Sequence, residues 1–219
     1  MLGIAVDFVF PRRCGGCRRR GEWFCADCRA ATRSARTSVC MGCGRAVSIR
    51  PCPLCIDGEA VVESLVAAVV LSGPVREAVH RMKYGDRPQL ARPLAALAAS
   101  AAARTGGGVV VPVPLSPRRR RARGYNQAEV IAAELARGLG VAVDMRLQRR
   151  RETGTQVGRG GDDRRAALAG AFTWTGPPPA GDVLLIDDVI TTGATLMECA
   201  RALRGAGASR VHALAVAVG

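Results

Sequence analysis

Hydrophobic patterning divides the chain near residues 56–63. Beyond that break, apolar runs and helical periods alternate. Ser64–Leu71 is a β-branched apolar run and reads as a buried strand. Pro74–Met82 predicts a helix with proline in its first turn, and the Ala-rich Pro93–Arg104 predicts another, ended by Gly106–Gly108. Val109–Val113 is a strand stopped by Pro112 and Pro114, and Asn126–Leu139 is an amphipathic helix closed by Gly140. Val141–Leu147 is strand-like, Arg149–Ala167 is glycine-rich and irregular, and Pro177–Pro179 is a loop. Val183–Ile186 predicts a buried strand, Ala194–Arg204 a helix and Val211–Val218 a last strand. Such alternation implies an α/β fold, a parallel sheet with helices on both faces. The expected organisation is a small module over residues 1–60 and an α/β domain over 61–219.

The first 60 residues have a different character. Eight of the nine cysteines lie before residue 56, in four CxxC pairs: Cys14 and Cys17, Cys25 and Cys28, Cys40 and Cys43, Cys52 and Cys55. Each pair makes a two-thiolate knuckle, and two knuckles complete a tetrahedral structural zinc site, so eight ligands suit two ions. The gaps of seven residues between Cys17 and Cys25 and eight between Cys43 and Cys52 allow sequential pairing and leave interleaved pairing open. No βαβ pattern surrounds a pair, which argues against redox chemistry and for metal binding in a reducing, cytoplasmic compartment. Leu2–Phe10 is apolar, but Arg12 and Arg13 follow it rather than precede it, so it reads as a packed helix or strand and not a secretion signal. No apolar run approaches the ~20 residues of a membrane helix.

The net charge of +14 invites a nucleic-acid reading, but it says less than its size suggests. Lys83 is the sole lysine among 32 basic residues in a chain rich in Ala, Gly and Val, a pattern of arginine-biased coding. Zinc-bound thiolates would also lower the formal charge.

Candidate chemistry concentrates at Val183-Leu-Leu-Ile-Asp-Asp-Val-Ile-Thr-Thr-Gly-Ala-Thr195. The C-terminal end of a strand is where open α/β sheets place ligands. Thr191, Thr192 and Thr195 hydroxyls, with free N–H groups at a helix start, form an anion cradle; Gly193 permits close backbone approach beside Ala194. Asp187 and Asp188 can accept hydrogen bonds from two sugar hydroxyls and sit near a magnesium ion, which prefers oxygen ligands. On the opposite side, Val113-Pro114-Leu115-Ser-Pro117 follows a strand, and Arg118 to Arg123 carry five arginines in six positions, able to neutralise a diphosphate as a mobile loop. Lys83 stands near a helix end, before Gly85.

The Asp187–Thr195 segment resembles the motif with which type I phosphoribosyltransferases bind phosphoribosyl pyrophosphate (PRPP). The resemblance assigns the ribose hydroxyls to Asp187 and Asp188, and the 5-phosphate to Thr191, Thr192, Gly193, Ala194 and Thr195. With Phe10-Pro-Arg-Arg-Cys14-Gly-Gly-Cys17, Met82–Asp86, Val113–Arg118, Arg123–Gln127 and Thr153–Gln156, the chain resembles the ComF family. That resemblance implies an N-terminal double zinc ribbon and a type I phosphoribosyltransferase-like domain, with structural Zn²⁺ and PRPP-associated Mg²⁺. Residues Lys83, Pro114, Leu115, Arg118 and Arg123 are the expected diphosphate side. One departure is Ala167, which stands where the family pattern has Asn. Two functions follow: ribose-5-phosphate transfer from PRPP to an unknown acceptor, or non-catalytic binding of a nucleotide, PRPP or single-stranded DNA in DNA uptake. The low aromatic content, 4%, counts against a base-stacking groove.

Overall fold

A computed structural model describes residues 11–35, 61–105, 108–150 and 168–219. Four of the expected zinc ligands, Cys40, Cys43, Cys52 and Cys55, lie outside the described residues. So do the segment Leu2–Phe10 and the stretch from Thr153 to Ala167.

The elements in chain order are α1 (Ala26–Ala30), β1 (Ser64–Val70), α2 (Gly73–Tyr84), a 3₁₀ turn (Pro88–Leu90), α3 (Ala91–Thr105), β2 (Val109–Pro112), α4 (Pro117–Arg123), α5 (Gln127–Leu139), β3 (Ala142–Val143), β4 (Leu147–Arg149), β5 (Phe172–Trp174), β6 (Val183–Ile190), α6 (Ala194–Gly205) and β7 (Val211–Val218). Five strands form one sheet in the order β1-β7-β6-β2-β3, every pairing parallel. β4 and β5 pair antiparallel as a separate ribbon.

The sheet divides the core in two. On one face Val110, Leu184, Ile186 and Leu214 meet Val75 and Met82 of α2, Leu94 and Ala98 of α3, and Ile131 and Leu135 of α5. On the other, Val111, Val183, Leu185 and Ala213 meet Leu196, Met197, Cys199 and Leu203 of α6, with Leu147 and Phe172 from the ribbon. Helices thus cover both faces, as the alternation of elements implies.

Three segments differ from their sequence expectation. The strand at Val183 runs past Ile186 to Ile190, because β7 stays in register beside it as far as Ile190 against Val218. The run Val141–Leu147 does not form one strand. Ala142–Val143 joins β2, Leu147–Arg149 joins β5, and between them Asp144 accepts hydrogen bonds from the backbone N–H (3.0 Å) and guanidinium of Arg146. The arginine run is a helix, not a loop. Ser116 caps it by accepting from Arg119 N–H (3.4 Å), Pro117 opens it, and left-handed Gly124 (φ 78°) ends it.

The N-terminal segment is docked on the domain. Ser34 bridges antiparallel to Val69 at the free edge of β1, with Val70 N–H donating to Arg33 O at 2.8 Å and Ala35 N–H to Ala68 O at 3.1 Å. A sheet edge that would otherwise expose unpaired backbone groups is covered in this way.

Candidate functional site

β2 and β6 are neighbours whose chains leave in opposite directions: β2 leads through α5 to β3 on one side, and β6 through α6 to β7 on the other. This is a topological switch point, where open sheets form a crevice at their carboxyl ends. β2 pairs with β6 only as far as Pro112 against Ile186, so the last four residues of β6 project beyond it. Asp187 and Asp188 sit on that projection.

The two side chains leave opposite faces of β6, as consecutive strand residues do, yet their carboxyl groups stay close enough to interact. Asp188 is only 8% exposed, and its Oδ2 lies 2.6 Å from Lys83 Nζ at the end of α2. The contact is ionic without the alignment of a hydrogen bond. Among the described residues Asp188 Oδ2 and Gln127 Nε2, at the head of α5, are buried side-chain atoms lacking a hydrogen-bond partner. Asp187 is half-buried, and its Oδ1 accepts from Asp188 N–H at 2.8 Å. Burial, and then the charge of Asp188, hold the Asp187 carboxyl well above the usual carboxylate range. Asp187 faces α6, where burial first and the Asp187 charge second push the Cys199 thiol upward.

The turn after β6 carries exposed Thr191, and Thr192, whose Oγ1 accepts from Ala194 N–H at 3.4 Å. Gly193 adopts φ 73°, a left-handed conformation that a side chain resists, and brings the chain straight into the twelve-residue α6. No side chain of the N-cap residue satisfies the start of this helix, and the positive end of its dipole faces the turn occupied by Thr191–Thr195. That is the arrangement of an anion site.

Lys83, the ion-pair partner of Asp188, lines a cavity of about 560 Å³ together with Tyr84, Asp86, Arg119, Ala122 and Arg123. Arg119 and Arg123 are one helical turn apart on α4 and so face the same way. The Arg123 guanidinium also lies 5.0 Å from the centre of the Tyr84 ring. Arg120 is directed elsewhere, to Glu129. The structure therefore unites Lys83 and Arg123 of the expected diphosphate side but leaves Arg118, Pro114 and Leu115 out of the lining. Sequence reasoning counts Arg119 only within the arginine run and does not single out Tyr84 or Asp86, which share the lining with Lys83 and Arg123. The signal that could have singled out Arg119 within that run is Ser116-Pro117: reading it as a helix cap sets the phase of every arginine that follows. A second hollow of about 460 Å³, between α3 and α5, is lined largely by alanines and holds none of the motif residues.

The described cysteines gather as the knuckle spacing predicts. The ligand atoms of Cys14, Cys17, Cys25 and Cys28 all lie within 4.8 Å of one another. Cys14 Sγ is 3.6 Å from Cys28 Sγ, and Cys17 Sγ is 3.7 Å from Cys25 Sγ. Zinc–sulfur bonds of ~2.3 Å in a tetrahedron set sulfurs ~3.8 Å apart, so the four fit one zinc ion in sequential pairing. The second expected set, Cys40, Cys43, Cys52 and Cys55, falls outside the described residues. Burial, the largest influence on Cys14, raises its thiol. Backbone N–H groups, led by Cys25 at 3.3 Å, outweigh it and bring the thiol down to about 6. Burial and the hydrogen bond with Cys14 push Cys28 upward. A backbone that already supports a thiolate is prepared for a cation.

Fold and site define a domain of the phosphoribosyltransferase type, and residues 126–218 match the Phosphoribosyl transferase domain family. The DNA utilization protein YhgH of Salmonella typhimurium is 33% identical over 216 residues, spanning 92% of this chain and 95% of that protein. Competence protein F of Haemophilus influenzae is 30% identical over 214 residues, 86% of this chain and 93% of that one. The chain belongs to the ComF family, to which its N-terminal cysteine cluster also conforms. Among solved structures, the glutamine PRPP amidotransferase from B. subtilis complexed with ADP and GMP aligns over 61% of this chain and 30% of its own, at 20% identity and a TM-score of 0.41. No helix among the described residues is long and apolar enough to cross a membrane.

Proposed function

We propose that the chain binds PRPP and transfers its ribose-5-phosphate to an acceptor, releasing pyrophosphate. One observation carries this reading: β6 overshoots its neighbour at the switch point and delivers two acids, a glycine turn and a helix start in eight residues, with Lys83 joining them to an arginine-lined cavity. The Thr191–Thr195 turn and α6 hold the 5-phosphate. Asp188, held by Lys83 through Oδ2, accepts from a ribose hydroxyl, and Asp187 accepts from the N–H of its neighbour through a small side-chain turn. Arg119, Arg123 and Lys83 draw charge from the diphosphate as the bond to the anomeric carbon lengthens.

Magnesium, which takes oxygen ligands, fits this acid-rich strand end and would neutralise the leaving diphosphate. Zinc in the cysteine cluster is structural, since four sulfurs leave no open position. Residues 1–60 form the zinc module, with Cys40, Cys43, Cys52 and Cys55 as ligands of a second ion, and 61–219 form the phosphoribosyl domain.

A second reading is favoured by Tyr84, which is 68% exposed beneath Arg123: non-catalytic binding of single-stranded DNA, with bases stacked on that ring. Calorimetric titration separates the two. Zinc-loaded protein should bind PRPP with Mg²⁺, and Asp188→Asn should weaken binding about tenfold to a hundredfold, the worth of a charge-assisted hydrogen bond. A folded protein that ignores PRPP but binds single-stranded DNA in a salt-sensitive manner would overturn the transferase reading.

A further inference from the structure

The last turn of α2 touches three separate parts of the molecule through three successive residues. Arg81 donates to the carbonyls of Gly15 and Gly16, the latter at 3.0 Å, between the zinc ligands Cys14 and Cys17. Its other terminal nitrogen pairs with Glu77 Oε2 at 3.0 Å, which fixes the fork. Met82 O accepts from the Tyr125 hydroxyl, at the joint between α4 and α5. Lys83 reaches Asp188 and lines the arginine cavity.

The contact at Arg81 is close and keyed. A methyl group on Gly15 would lie 2.7 Å from Leu90 Cδ2, and one on Gly16 would lie 2.7 Å from Pro74 Cβ. Cys14, Phe24 and Cys28 share an apolar cluster with Val75, Ala78, Met82 and Leu90. The knuckle backbone therefore rests directly on α2 and on the turn that follows it.

We propose that Arg81 is a positioning residue that locks the last turn of α2 to the zinc knuckle, and that metal held by Cys14, Cys17, Cys25 and Cys28 is thereby coupled to polyanion binding at Lys83, Arg119 and Arg123. The identity of the polyanion rests on the phosphoribosyl reading; the coupling does not require transfer. The Gly15 and Gly16 carbonyls converge on Arg81 only while the knuckle is closed. Metal closes it by tying four sulfurs together. An open knuckle removes the acceptors that hold Arg81 and frees the turn that presents Lys83. Coupling of this kind is reciprocal, so a ligand on Lys83 must also hold the metal more tightly.

The test uses full-length zinc-loaded protein, with zinc release followed by a chromogenic chelator in excess magnesium and affinity measured by calorimetry. In the natural protein, saturating PRPP should slow release of the more strongly protected zinc by roughly five- to a hundredfold. Asp188→Asn should raise the PRPP concentration needed for that protection by about tenfold to a hundredfold, the same factor by which it weakens binding. Arg81→Gln should keep its zinc yet bind PRPP about tenfold more weakly, and bound PRPP should no longer slow release; Arg81→Lys should restore part of both effects. The first measurement needs no variant, so a poorly folding Arg81→Gln would not rescue the idea. If PRPP binds while zinc release is unchanged, the coupling is wrong and the phosphoribosyl reading stands. If PRPP does not bind, inorganic pyrophosphate is the probe. Protection by it would keep the coupling and discard the phosphoribosyl reading, and binding of neither would discard both.

Discussion

Asp187 shows how one carboxyl can hold a binding strand in tension. Its pKa is raised by burial and by the charge of Asp188. A raised folded-state pKa contributes stability that is complete below the unfolded value, ~3.9, and is lost as pH climbs through the folded one. Ligand-free protein should therefore weaken on this account from mildly acidic pH upward. Asp187→Asn keeps the oxygen that accepts from Asp188 N–H and discards the charge. It should melt higher than the natural chain at pH 7–8, by about 2–4 °C for each kcal/mol relieved, with the gap closing below about pH 4. Parallel melting curves across that range check it; a difference independent of pH would refute the assignment. This behaviour was not legible in the sequence. Adjacent acids announce a polar strand end, but their divergence to opposite faces depends on β6 continuing as a strand through both. Lys83 was partly legible: a solitary lysine among arginines suggests that one position needs a compact ammonium, and the ion pair with Asp188 supplies the reason.

At the scale of elements, α4 sets the direction of the arginines. Ser116 and Gly124 bound it, and a seven-residue helix depends heavily on such caps. Its phase places Arg119 and Arg123 on the cavity and Arg118 off it. Alanine at Arg119 or Arg123 should each weaken PRPP binding by about tenfold, the worth of one charged hydrogen bond, while Arg118→Ala should change it less than about twofold. Titration of the three variants tests the helix directly, since a flexible loop would share the loss among all three. Strands β1, β2 and β7 and helices α2, α3, α5 and α6 fall close to where hydrophobic period and caps predict them, because each buries a continuous apolar face. β4 and β5 were harder. Three-residue strands have no period to read, and their partner lies more than twenty residues away in the chain.

For the whole molecule, the question is whether the cysteine module merely hangs on the domain or completes it. Its CxxC spacing predicts the metal cluster but is silent on where the cluster docks, because docking depends on Phe24 and on glycines that carry no apolar pattern. Phe24 is 1% exposed and packs in the same cluster as Val75, Met82 and Leu94 of the sheet-covering helices. The same segment continues to Ser34, which seals the edge of β1 beside Val69. Module and domain thus share a core and a sheet edge, and they should unfold together. Phe24→Ala opens a cavity at that junction, for which large aromatic truncations cost about 3–5 kcal/mol. In a chain of this size the loss lowers the melting point by on the order of 10 °C. The helical signal of the α/β domain should report that drop in a single transition, together with release of zinc. A merely tethered module gives a different result: zinc lost at low temperature, then helices α2–α6 melting where they do in the natural chain.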